Sequence, residues 1–110
     1  MNIETRELKH VSVVKIEGRV DSATAPDVEK ALQNLIEADR HQVVLDLHDT
    51  EYMSSAGLRV LVSTLKAAKK SGGDLKLAQL SARVKEVLDL AGLTPVFNVY
   101  GDVVEAVGAF

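Results

Sequence analysis

The sequence contains no cysteine and no tryptophan, so disulfides and thiolate metal sites drop out at once. A chain of 110 residues buries enough surface to fold without such staples. Other aromatics are scarce too. Tyr52, Phe97, Tyr100 and Phe110 are the four rings, and none is interleaved with clustered Arg or Lys as a base-stacking platform would be. Nor is there much charge of one sign: the formal net charge is -3, with acids and bases mixed along the chain. Such a surface has no field to draw in phosphate backbones, and no direct nucleic-acid contact is expected. No unbroken apolar run approaches the roughly 18 residues that would cross a bilayer, so no membrane insertion is expected. The opening MNIETRELKH is neither the apolar region of a secretion signal nor a myristoylation sequence. These absences point to a soluble, cytoplasmic protein. Without a proline- or serine-rich stretch to divide it, the chain reads as one domain over residues 1–110.

What is present is patterned apolar sequence, 46% of all positions. Alternation at Ile3, Thr5, Val11, Val13 and Lys15 predicts two strands, near 3–8 and 11–18, turned at Lys9-His10 into an antiparallel hairpin and ended by Gly18. Val28, Ala31, Leu32, Leu35 and Ile36 fall on one side of a helix. Thr24 and Asp27 are spaced as a capping box at its start, and Pro26 fits its first turn. The segment 41–48 is apolar at nearly every central position, as in a parallel strand covered on both faces. A helix over 55–70 follows, with Leu58, Leu61, Val62, Leu65 and Ala68 on one face, and Gly72-Gly73 stops it. Leu75 to Gln79 is the next strand; Ser81 caps a helix carrying Val84, Val87 and Leu88; Val96 to Tyr100 is a last strand, and Asp102 caps a final helix. The order is ββαβαβαβα: an α/β domain with a mixed, mostly parallel sheet and about four packed helices.

Tyr52-Met53-Ser54-Ser55-Ala56-Gly57-Leu58 occupies the junction between the central strand and the long helix. That is the edge of an open α/β sheet where ligands gather. The unpaired amides of a first helical turn carry partial positive charge, so an anion on the Ser55 oxygen would be stabilised there. Ala56 and Gly57 keep the approach uncluttered. Spacing alone equally allows Ser54 or Ser55 to be a simple cap, and a hydroxyl can cap when bare and carry a phosphate when modified.

Other chemistry finds less support. Met53 stands where the hydrolase elbow G-x-S-x-G needs its first glycine. His10, His41 and His48 have neither triad order nor metal-ligand spacing. Gly72-Gly73 is followed by Asp74 and not by the lysine and hydroxyl of a P-loop. Asp46, Asp49 and Glu51 cluster near the strand's end and read as a solvated acidic loop, with a hard cation or a basic partner as alternatives. No cofactor, no metal and no catalytic residue is expected.

GRVDSATAPDVEKAL at 18–32, VVLDLHDTEYMSSAGLRVLV at 43–62 and LKLAQLSARVKEVLDLAGL at 75–93 resemble anti-sigma-factor antagonists, the single-domain members of the STAS superfamily. The resemblance spans essentially the whole chain, and its most specific parts are Gly18 with Asp21, the strand-to-helix junction, and Ala91-Gly92-Leu93. It implies a non-catalytic, bacterial module in a partner-switching circuit that controls transcription. In its unphosphorylated form such a protein binds an anti-sigma factor that is also a serine kinase, and sigma factor is released. Phosphorylation at the position of Ser55 ends the binding, and a serine phosphatase would reset it. The resemblance gives Asp21 a supporting role and makes Ser54, Ser55, Ala56, Gly57 and Leu58 the partner-binding stretch. The family's usual D-S-[ST]-G is changed: Ser54 replaces the aspartate and Ala56 the second hydroxyl, which makes Ser54 an alternative acceptor. Two competing readings stay open. One is a STAS accessory subunit docking on a transporter or other signalling complex; the other is a weak nucleotide sensor using Asp21 and the amides around Ser55.

Overall fold

Alternating and one-sided apolar spacing produce the elements they predict, with two additions, a strand and a 3-10 turn. The computed structural model describes residues 1–110 and contains β1 (Asn2–Glu7), β2 (Ser12–Val20), α1 (Ala25–Glu37), β3 (Gln42–Asp46), β4 (Thr50–Met53), α2 (Ser55–Lys70), β5 (Asp74–Ala78), α3 (Ala82–Leu90), a 3-10 turn (Thr94–Val96), β6 (Asn98–Tyr100) and α4 (Val103–Gly108). The sheet runs β1-β2-β3-β5-β6, antiparallel only between β1 and β2, and β4 pairs with β2 off that path.

β4 is the strand that the sequence pattern did not announce, and Gly18 is its cause. Gly18 does not end β2 but bends it. Ser12 to Lys15 pair with β3, the register shifts between Gly18 and Arg19, and Gly18, Arg19 and Val20 then pair with Thr50, Tyr52 and Met53. Gly18 takes φ +99°, a conformation that L side chains rarely adopt, and a Cβ there would lie 3.2 Å from the Cα of Met1. The bend is fastened by the Gly18 amide donating to the Asp49 carbonyl at 3.0 Å, and by the buried Thr50 hydroxyl donating to the Ile16 carbonyl at 2.7 Å. One strand thus serves two parallel partners in succession.

Period-two alternation divides the apolar residues between the faces of the sheet. Val14, Ile16, Val43, Leu45, Leu75 and Leu77 join the larger core beneath α1, α2 and α3, together with Val28, Leu32, Leu61, Leu65, Val84 and Leu88. Val13, Val44 and Ala78 face the other way and meet Ala106 of α4, with Tyr100, Val103 and Phe110 at the rim. β3 is apolar on successive positions because both of its faces are covered. Lys76 also points to the α4 side: it is 7% exposed, its ammonium lies 3.1 Å from Asp74 Oδ2, and it sits 4.7 Å from the centre of the Phe110 ring. The last strand is shorter than its apolar run, because Pro95 starts a 3-10 turn that consumes Thr94 to Val96.

Candidate functional site

Both chain segments that build the site leave the same edge of the sheet, side by side. The Ser54 amide donates to the Val20 carbonyl at 2.8 Å, which continues the β2–β4 pairing to the end of both strands. One residue beyond that bond stand Asp21 on one segment and Ser55 on the other.

Ser54 is the N-cap of α2. Its extended backbone (φ -85°, ψ 174°) lets its carbonyl accept from Leu58 at 3.0 Å, and its hydroxyl accepts from the Gly57 amide at 3.4 Å, a long bond. Ser55 is the first helical residue and is exposed, and no protein group engages its hydroxyl. The two adjacent serines are therefore not equivalent: one hydroxyl serves the helix and the other faces solvent.

The rest of the stretch points inward. Gly57 is buried, and a Cβ on it would lie 2.8 Å from Met53 Cγ and 2.9 Å from Val20 Cγ1. Its small size does not keep the outer approach clear, as its position in the sequence suggests; it lets the first turn of α2 lie against β2 and β4. Leu58 is 8% exposed and belongs to the main core. Gly57 and Leu58 are thus supports beneath the surface. Ala56 is half-buried and lines a shallow groove between α1 and α2 with Ser22, Ala25, Glu29, Arg59 and Ser63.

Asp21 folds the β2–α1 connection. Its Oδ1 accepts from the amides of Ala23 at 3.0 Å and Thr24 at 3.1 Å, while the Thr24 hydroxyl accepts from the Asp21 amide and donates to the Arg19 carbonyl, both at 2.9 Å. The Thr24 amide bond, helped by those from Ala23 and the Thr24 hydroxyl and by the charge of Arg19, holds the Asp21 carboxyl below its usual range against the opposing effect of burial. The capping box expected from Thr24 and Asp27 does not form. Thr24 is the N-cap residue of α1, but its hydroxyl is turned into the Asp21 loop and caps no helical amide.

The three acids near the end of β3 take separate tasks. Asp46 accepts from the His48 amide at 3.1 Å and from Gln79 Nε2 at 3.0 Å. Asp49 pairs with Lys15 at 3.2 Å, and Glu51 is exposed. Asp49, with Glu17, raises the Lys15 pKa above its ordinary value. Ser81 caps α3 as expected, accepting from the Val84 amide at 3.2 Å, and its hydroxyl also donates to the Thr50 carbonyl at 2.7 Å, tying α3 to β4.

Two features escaped sequence reasoning. The Tyr52 ring has the Arg19 guanidinium 4.5 Å from its centre and that of Arg83 at 5.8 Å. Nothing local signals this, since the three residues meet through the β2–β4 pairing and the α3 start. Arg59 stands one helical turn after Ser55, a spacing that was legible from the start.

A parallel-rich sheet backed by three helices on one face, with a bare serine where a short strand turns into the longest of them, defines a recognisable class. The chain belongs to the STAS domain family, whose model matches residues 2–106. Within that family its likeness is to anti-sigma-factor antagonists. The anti-sigma-B factor antagonist of Bacillus subtilis (strain 168) is 34% identical over 99 residues, 90% of each chain. The crystal structure of an anti-sigma factor antagonist from Mycobacterium paratuberculosis superposes with a TM-score of 0.88 at 27% identity, covering 98% of this chain and 92% of that one. SpoIIAA, an anti-sigma factor antagonist solved in its unphosphorylated form, has the same fold: TM-score 0.84 at 16% identity, covering 96% of this chain and 93% of that one. No helix here is long and apolar enough to cross a membrane.

Proposed function

We propose that this chain is an anti-sigma-factor antagonist, a regulatory binding protein without catalysis of its own. In its bare form it docks the β4–α2 junction on an anti-sigma factor that is also a serine kinase, and sigma factor is released. The kinase transfers the γ-phosphoryl group of ATP to Ser55 Oγ; the hydroxyl proton leaves and ADP is the by-product. The added group carries about -1.5 to -2 charges at neutral pH, and these are disfavoured beside acidic or apolar partner surface. A serine phosphatase hydrolyses the ester and restores binding. The reading rests on one observation: Ser55 offers an exposed, unengaged hydroxyl while the neighbouring Ser54 hydroxyl is committed to the helix start. Asp21 supports the site by fixing the adjoining loop.

The test is to incubate the protein with candidate kinases and ATP and to map the phosphate by mass spectrometry. Phosphate on Ser55, lost in Ser55→Ala while that variant still binds the kinase, is the expected result. Phosphate on Ser54, or undiminished modification of Ser55→Ala, overturns the assignment.

A further inference from the structure

Arg59 is an exposed residue of α2 four positions after Ser55. On a helix that spacing puts two side chains on one face, about 5–6 Å apart at Cβ. Direction favours contact as well, because helical side chains lean toward the N-terminus and a long side chain covers the turn before its own Cα. For Arg59 that turn begins with Ser55. The ion pairs of the molecule engage Lys15, Arg40, His41, Lys76 and Arg83, and leave Arg59 out. Glu29 lines the same groove from α1 but forms no ion pair with it. The first turn of α2 contains no acid. Of the other charged groups of this edge, Asp21 turns Oδ1 to the Ala23 and Thr24 amides, and Arg19 lies on the Tyr52 ring. Arg59 is thus a guanidinium outside every ion pair, sharing its helix face with the free Ser55 hydroxyl one turn before it.

We propose that Arg59 is the internal counter-ion for a phosphate on Ser55. The proposal rests on the reading of Ser55 as the modified residue and adds a second actor to it. A phosphoserine presents three acceptor oxygens one turn from a planar fork of donors, the geometry in which arginine binds phosphate best. Modification then changes two features of the surface together: the phosphate brings negative charge, and the guanidinium is drawn off the α1–α2 groove onto it. Arg59 positions and partly neutralises the group and takes no part in its transfer.

The test needs no kinase. Protein is made with phosphoserine installed at position 55 during synthesis, and its second ionisation is followed by phosphorus NMR as pH is varied. A cation in contact favours the dianion, so Arg59→Gln should raise the ionisation midpoint by roughly half a pH unit. Arg59→Lys should restore part of the difference. Lys66→Gln, which removes an exposed cation further along α2, should leave the midpoint unchanged. Equal midpoints with and without the Arg59 guanidinium overturn the proposal. Because the phosphate is installed chemically, a kinase that modifies another residue would sink the Ser55 assignment while leaving this measurement valid.

Discussion

The starts of α1 and α2 lie next to each other at one edge of the sheet and solve the same problem in opposite ways. Each must turn a strand end into a helix and satisfy amides that the helix leaves over. Ahead of α1, Asp21 Oδ1 and the Thr24 hydroxyl are spent on one another and on nearby backbone. At α2 a single hydroxyl, that of Ser54, does the capping, while close packing at Gly57 supplies the rest of the anchorage. The second arrangement leaves Ser55 unemployed. A residue is free to be modified where its neighbours hold the fold without it.

The comparison can be broken most forcefully at Gly57. Gly57→Ala should destabilise the protein by about 1 to 3 kcal/mol, because its methyl meets Met53 and Val20 in a filled core. A urea midpoint close to that of the parent would show that the helix start is not held by this contact. Next in size, Asp21→Ala should lower the urea midpoint at neutral pH by freeing two loop amides. The folded-state pKa of Asp21 lies below its ordinary value of 3.8, so its contribution is complete above that value and fades as pH falls through the folded pKa. Parent and variant should therefore converge in acid; a gap that persists unchanged as pH falls well below 3.8 would remove the carboxylate from the explanation. Ser54→Ala should cost about 0.5 to 1 kcal/mol, the low end for a cap with so long a bond. Ser55→Ala should stay within about 0.5 kcal/mol of the parent, as expected for an exposed side chain without partners. If the two serine variants exchanged ranks, the division of labour between the hydroxyls would be reversed.

Much of this architecture is legible in the amino-acid order because it depends on local periods. The doubly covered β3 and the one-sided α2 follow from the spacing of Val43, Val44, Leu45 and of Leu58, Leu61, Leu65. The caps at Ser81 and Asp102 follow from side-chain type and position, and both bonds form. β4 was illegible for a different reason: four residues are too few to show a period, and their pairing is set by a bend at Gly18, more than 30 positions earlier. The direction in which Gly57 faces was hidden likewise, since a glycine beside serines suits open space and close packing equally until the rotation of the helix is known. Thr24 misled because a hydroxyl oxygen ahead of a helix has several amide donors within reach, and the Asp21 amide won. Sequence names Ser55 as the acceptor with Ser54 as the alternative; what it could not show is that the Ser54 hydroxyl bonds the helix start while that of Ser55 has no partner.

The bend in β2 has an implication for how information leaves this molecule. By carrying on past β3, the strand moors the Ser54 amide to the most deeply shielded layer, so the ground under Ser55 is unyielding. Backbone protons of that mooring should be among the slowest to swap with deuterium, although the exposed Ser55 stands one residue away. A mark written on such bedrock has little shape to alter. What a visitor would sense is a repainted electrostatic face on an unmoved frame.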